Sequence, residues 1–413
     1  MTFLDMNEIS DSVRRVFSAT TTALSANIDG IARSATLAIL ERVQSARASG
    51  RHVIDLGIGE PSFATPRFIS EAAERAIAEG RTRYTAVEGI VALREAIAAE
   101  AQELSAGRRL VDKSEVVVTS GSKQALFESC FVLFGPGDDV LIPSPAWPSY
   151  AEMVRLARAT PVAVAGDHTR GWKVDVHSLR ASATPRTRGL ILGSPMNPSG
   201  AVYDIDELRA IAALAAERGW WIISDEIYRP LSYDGDAPSI LAACAPDAEV
   251  VSVGGVAKAY AMTGWRIGWV IAPRMIASAM IGLQSHITSN ATTISQYAAL
   301  AAISSKAEAE VAQREMLAAL RVRRDLAVSA LARVYPDYVK PAGAFYCFLP
   351  IGDRTAGASA DFVLSLLHEC DVAVVPGSAF GTEGWVRASF AGSDDDVRSG
   401  FGSLADFLQT RNG

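Results

Sequence analysis

The chain has 413 residues, 49% of them hydrophobic and 21% charged, with a formal net charge of −7. That fits a soluble globular protein long enough for two domains, and the acidic balance argues against a broad nucleic-acid-binding face. Four scattered cysteines, Cys130, Cys244, Cys347 and Cys370, form no CxxC pair and have no metal-ligand spacing, so free thiols in a reducing cytoplasm are expected rather than disulfides. Apolar runs such as Met275–Leu283 are too short to cross a bilayer. The first residues, with Asp5, Glu8 and Asp11, do not read as a secretory signal.

Residues 1–22, rich in Ser, Thr and Ala, read as a loosely tied extension. Helical spacing then covers Glu71–Glu79 and Ala92–Leu104. Seven short β-rich runs come next: Val116–Thr119, Val140–Ile142, Pro161–Val164, Gly189–Leu192, Trp221–Ser224, Val250–Val253 and Trp269–Ile271. Helical stretches such as Ile205–Arg218 separate several of them. This rhythm predicts an α/β fold, a mainly parallel seven-stranded sheet with helices on both faces. A long helix over about Ser305–Val334 ends at Tyr335-Pro336-Asp337. After it KPAGAFYCFLP, VAVVPGSAF and WVRASF read as strands of a smaller α+β domain.

Ligands of such sheets sit at the carboxyl ends of the strands, and five of those ends carry unusual chemistry. Val116–Thr119 leads into Ser120-Gly121-Ser122-Lys123-Gln124, a small-residue turn opening a helix. Free amides there can bind an anion, although such turns also serve as plain helix caps. Trp147 follows on a Pro-rich loop, where it can pack in a core or lie on a planar ring. Asn197 lies between Pro195 and Pro198, in a simple turn or with its amide aimed into a site. Asp225, at the end of an apolar strand, needs a partner, and a protonated pyridine nitrogen would be one. Lys258 stands among small and apolar residues, with Arg266 eight positions on (266 − 258 = 8). A lysine so surrounded has a lowered pKa and can condense with a carbonyl.

Here GVAKAYAMTGWRIG resembles the pyridoxal-phosphate (PLP) attachment signature of class I aminotransferases, and SPMNPSG, SDEIY and VTSGSKQAL resemble three further motifs of that family in the same order. The resemblance runs from about Ser34 to about Phe390 and implies the fold type I architecture of PLP-dependent transferases. It joins residues 23–69 to 305–413 as the small domain and leaves 70–304 as the large one. It implies that Lys258 is joined to the cofactor and moves the proton between substrate and cofactor, and that Asp225 pairs with the ring nitrogen. Asn197 and Tyr228 would hold the ring hydroxyl oxygen, Trp147 would stack on the ring, and Arg266 with the amides of Gly121, Ser122 and Lys123 would hold the phosphate. Tyr84 would reach the phosphate of a second subunit, implying a homodimer with shared sites. Arg387 in VRASF, assisted by the Gly59 amide, would grip the substrate carboxylate. One departure is Gly255, where many relatives carry a phosphate-binding serine.

Ser34-Ala35-Thr36 and Lys123 resemble the aspartate aminotransferases that recognise an acidic side chain with a lysine and a threonine, some of which also accept prephenate. A second carboxylate needs a cation, and Lys123 would supply it; otherwise Lys123 only adds charge around the phosphate. His286 is expected beside the site. The expected reaction is transfer of the L-aspartate amino group to 2-oxoglutarate. Alternatives are prephenate or another amino donor, a PLP-dependent lyase or oxidase of secondary metabolism, and a non-catalytic ligand-binding module.

Overall fold

A strand buried on both faces must be apolar at consecutive positions, because successive side chains point to opposite sides. Six of the seven runs obey this rule, and the run in the edge strand Thr160–Ala165 is only partly covered, in the computed structural model, which describes residues 25, 31, 35–352, 355 and 357–412, the side chains of residues 35–37 and 412 excepted. The expected extension 1–22 therefore lies outside the described residues. By its internal contacts the chain divides at Ala32/Arg33, and every named element belongs to the unit Arg33–Gly413.

After the two-residue β1 (Ile54–Asp55) come β2 (Val116–Thr119), β3 (Asp139–Ser144), β4 (Thr160–Ala165), β5 (Thr187–Gly193), β6 (Trp221–Asp225), β7 (Val250–Gly255) and β8 (Gly268–Ile271). Strands β2 to β8 form one sheet in the order β2-β8-β7-β6-β5-β3-β4. Only β8 runs against its neighbours β2 and β7; the other pairings are parallel. Residue parity assigns the two faces. Val116, Val118, Leu141, Leu190, Leu192 and Ile222 enter one core, and Val117, Val140, Ile142, Ile191, Trp221 and Ile223 the other. Helix Ile205–Arg218 falls on the expected residues because Asp204 and Glu207 form a capping box at its start and Gly219 (φ 62°) ends it.

A smaller antiparallel sheet, β11 (Val375–Pro376), β12 (Trp385–Ser389) and β9 (Tyr346–Pro350), carries its own core under helices Lys306–Leu331, Ala358–Cys370 and Asp394–Asn412. The segment VAVVPGSAF is less regular than expected. It gives β10 (Val372–Ala373), which pairs with β1, then β11, and then a 3₁₀ turn at Gly377–Phe380. Pro376 lacks the N–H needed to continue a ladder.

One buried acid has no part in this architecture. Glu128, in helix Ser122–Leu133, is fully enclosed. One of its carboxyl oxygens accepts Gln124 Nε2 at 2.7 Å, and the other has no partner among the described residues. Burial pushes its pKa up to about 7, against the lowering effect of the Gln124 bond. With the folded value above the unfolded one, the favourable contribution is complete below about pH 4.5 and is lost as pH rises through about 7. The loss is on the order of 3 kcal/mol. Glu128→Gln should therefore raise the melting temperature at pH 8.5 by several degrees and leave it nearly unchanged at pH 5. Equal melting shifts at both values would show that Glu128 stays ionised.

Candidate active site

The carboxyl ends of the central strands open into a cavity of about 440 Å³, within the ~300–1,000 Å³ range of small-molecule sites. Asp225 ends β6, and parity turns its side chain toward the face of Trp221 and Ile223, where Tyr150 packs. Tyr150 Oη donates to Asp225 Oδ2 at 2.6 Å and the Ile227 amide to Oδ1 at 3.2 Å. Neither donor is charged, and no cation pairs with this carboxylate within 4 Å among the described residues. Burial raises its pKa, the Tyr150 bond, the Ile227 bond and the Lys258 charge opposing. A buried carboxylate left this way fits a cationic ring nitrogen.

Lys258 lies three residues beyond β7 on a small-residue turn and donates to the Gly59 carbonyl at 2.6 Å. Burial pushes its pKa down to about 8; Glu60 opposes this, Arg387 and Arg266 add to it, and Asp225 opposes it weakly. At pH 7 about a tenth of the amine is then unprotonated and nucleophilic, far more than for an ordinary lysine.

The turn after β2 meets Arg266. Gly121 has φ 87°, and a Cβ there would lie 2.4 Å from Arg266 Nη2, so only glycine lets the guanidinium approach the start of helix Ser122–Leu133. Arg266 donates to the Thr263 carbonyl at 3.0 Å and the Ser120 carbonyl at 3.3 Å. Among the described residues no side chain caps this helix and its first turn carries no acid, which leaves the Ser122 and Lys123 amides for an anion, while the Gly121 amide donates to the Thr119 carbonyl at 2.8 Å. The Gly255 departure has a local cause. Ser122 Oγ donates to the Gly254 carbonyl at 2.8 Å and stands 2.5 Å from where a residue-255 Cβ would be, so the Ser122 hydroxyl fills that space.

Arg387 comes from the other sheet, on its central strand β12, and is buried rather than exposed. It lies on the same face of β12 as Trp385, and its guanidinium stacks 4.3 Å from the Tyr346 ring and 5.0 Å from the Phe380 ring. Nη2 donates to the Gly57 carbonyl at 2.8 Å and Nη1 to Asn197 Oδ1 at 3.2 Å, while buried Nε has no partner among the described residues. Across the cavity Lys123 Nζ sits 4.9 Å from the Trp147 ring. Partial burial, then the Arg266 charge, lowers its pKa.

Gly59, Ser122, Lys123, Trp147 and Asn197 thus share the cavity walls with Asp225, Tyr228, Lys258, Arg266 and Arg387. Gly121 stands behind Arg266. Three expected residues are not in this group. The Thr36 side chain, like Ser34, lies outside the described residues. Tyr84 is 89% exposed and lines no part of this cavity. His286 is corrected: it is the exposed C-cap of helix Arg274–Ser285 and is absent from the cavity walls, because that helix ends at the protein surface.

Three residues escaped the reading of the sequence. Tyr150 holds Asp225, Tyr346 meets Tyr228, and Glu60 accepts Thr263 Oγ1 at 2.7 Å beside Lys258. The usable signal was a tyrosine in a buried segment, since its hydroxyl must find a partner. An amine, a buried acid with no cationic partner among the described residues, an anion cradle and a flat aromatic wall in one cavity are the parts that a pyridine aldehyde phosphate requires, and the residues present fit it.

The comparisons with known proteins agree with this geometry. The family described as aminotransferase class I and II matches residues 51–403. Aspartate aminotransferase of Streptomyces avermitilis is 40% identical, over 93% of this chain and 96% of that protein. The aspartate/prephenate aminotransferase of Thermus thermophilus is 39% identical, over 93% of this chain and 98% of that protein. A solved structure of Thermus thermophilus aspartate aminotransferase with maleate superposes with a TM-score of 0.88 at 37% identity, covering 94% of this chain and 100% of that one. This chain belongs to the class I and II aminotransferase family, whose enzymes are PLP-dependent transaminases.

Proposed function

We propose that the enzyme transfers the amino group of L-aspartate to 2-oxoglutarate, with PLP held in the cavity at the strand ends. The observation carrying this reading is that Lys258, Asp225, Arg266 and Arg387 line one cavity together with a further cation, Lys123. When bound, PLP supplies a ring that withdraws electrons from the substrate Cα and stores the amino group. Asp225 keeps the ring nitrogen charged. Arg266 and the Gly121–Lys123 amides hold the phosphate, Asn197 and Tyr228 the ring oxygen, and Trp147 covers the ring face.

Arg387 binds the substrate α-carboxylate with a planar fork that its aromatic neighbours keep oriented. Gly59 borders the same subsite. Lys258, once free, takes and returns the Cα proton, and a pKa of about 8 suits that exchange near neutrality. Lys123 sits on the wall nearest Trp147 and meets the second carboxylate; Thr36 belongs to the same subsite in this reading. The relatives' names support an acidic substrate, and several add prephenate.

The proposal includes a homodimer in which Tyr84 reaches a second copy's phosphate, a cytoplasmic location, and the division into 70–304 and 23–69 with 305–413. Among the described residues no helix is long and apolar enough to cross a membrane.

In a half-reaction with purified holoenzyme, L-aspartate should bleach the lysine-bound cofactor absorbance and 2-oxoglutarate should restore it; no change with any dicarboxylic amino acid would sink the reading. The rate at which cofactor-free protein captures PLP should climb about tenfold per pH unit below about 8 and then level off, because only the neutral amine reacts. A stopped-flow midpoint near 10.5, the ordinary lysine value, would contradict a desolvated Lys258. Lys123→Ala should lower kcat/KM for aspartate by roughly 100-fold, the worth of a charge-assisted pair, and for alanine or phenylalanine by less than about fivefold. Equal losses would exclude Lys123 as the selector.

A further inference from the structure

Tyr346 opens β9 in a run that reads as plain core, yet it is 1% exposed and carries a hydroxyl that must be satisfied. That hydroxyl lies 2.8 Å from the Tyr228 hydroxyl, with the two rings edge to face at 5.8 Å. The opposite interaction of the same side chain is with Arg387, whose guanidinium stacks 4.3 Å from its ring. Tyr346 therefore touches, through different parts, the proposed substrate-carboxylate binder and the proposed partner of the cofactor ring oxygen.

We infer that Tyr346 is a positioning residue that sets the strength of the Tyr228 hydrogen bond to the cofactor and holds Arg387 in place for the substrate. The inference rests on the proposed placement of Tyr228 at the ring oxygen. Each phenol has one proton and two lone pairs. If Tyr228 donates to an anionic ring oxygen, it must accept from Tyr346, so both protons point toward the cofactor. A donor feeding a donor polarises the chain and strengthens the terminal bond. Burial raises the pKa of both phenols, so neither ionises near neutral pH to reverse that direction. The division of labour is also fixed by geometry: the hydroxyl serves Tyr228 and the ring serves Arg387, and the two can be removed separately.

The test is a double-mutant cycle on holoenzyme, reading the pH midpoint of the lysine–cofactor absorbance and the dissociation constant of PLP beside steady-state rates. Tyr346→Phe keeps the ring and its packing. It should move the spectral midpoint upward by on the order of half a pH unit, in the same direction as Tyr228→Phe and by less. It should lower kcat about three- to tenfold with KM for aspartate changed less than about twofold. In the Tyr228→Phe background, Tyr346→Phe should add almost nothing to the midpoint. Tyr346→Leu, which also removes the stacking ring, should in addition raise the KM for aspartate about tenfold or more.

An unmoved midpoint in Tyr346→Phe, a shift that adds in full to that of Tyr228→Phe, or loss of PLP from the Tyr346→Phe protein would each overturn the inference. A separate outcome concerns the placement of Tyr228: if Tyr228→Phe itself leaves the midpoint in place, Tyr228 is not at the ring oxygen, and both fall together.

Discussion

Charge balance inside one cavity is the constraint on which the rest of this structure depends. Four cations, Lys258, Arg266, Arg387 and Lys123, face one buried acid, Asp225, with Glu60 at the exposed rim. In a protein of net charge −7 this local excess is built against the average. Its first effect is internal: Arg387 and Arg266 both act with burial to lower the pKa of the Lys258 amine. Its second effect is a demand. Cations gathered in one cavity, two of them at least partly buried (Lys258 and Arg387) and two at its open side (Lys123 and Arg266), favour an anionic occupant, which matches a phosphate and substrate carboxylates. Asp225 makes the opposite demand, for a cation, at the closed end of the same cavity. A molecule with a phosphate at one end and a basic nitrogen on its ring satisfies both.

Most of the sheet and half of the site chemistry were legible because they are local. The inner strands of the large sheet are buried on two faces and therefore appear as uninterrupted apolar runs, while the edge strand β4 is only partly covered, and most of the functional groups other than Arg387 sit within a few residues of a strand end. Arg387 was harder, because an arginine in an alternating strand reads as a surface group. It is buried only because Tyr346 and Phe380 flank its guanidinium and Gly57 and Asn197 accept from it. What stayed hidden are pairings across long stretches of chain. Tyr150 and Asp225 are 75 residues apart, Tyr228 and Tyr346 118, and Lys258 and Gly59 199. Periodicity shows that Tyr346 is buried and says nothing of which hydroxyl it meets. His286 failed for a related reason: its place in the sequence put it near the site, while the end of its helix put it on the surface.

The site draws on two sheets, so something must hold their relative position to a fraction of an ångström. The short segment after β1 does this. The Leu56 amide donates to the Ala373 carbonyl at 2.9 Å and the Leu56 carbonyl accepts the Ser389 amide at 2.6 Å, fixing the segment to β10 and to β12 of the smaller sheet. The Gly57 carbonyl then accepts Arg387 at 2.8 Å. Two residues on, the Gly59 carbonyl accepts Lys258 and the Glu60 carboxylate accepts Thr263, both from the turn that comes after β7 of the larger sheet. Successive residues of one extended segment thus hold the carboxylate-binding arginine and the cofactor-binding lysine. The small residues there serve this purpose, since a side chain on Gly57 would press on Asp55 Oδ1 at 3.1 Å, the oxygen that receives the Gly57 amide. The distance between substrate grip and reactive amine is therefore held by covalent backbone geometry over a few residues, together with the packing of Ile227, Tyr228 and Ala257 in the core of the smaller sheet. Orientation of this kind is the contribution that a protein scaffold can make to a reaction whose electronics belong to its cofactor.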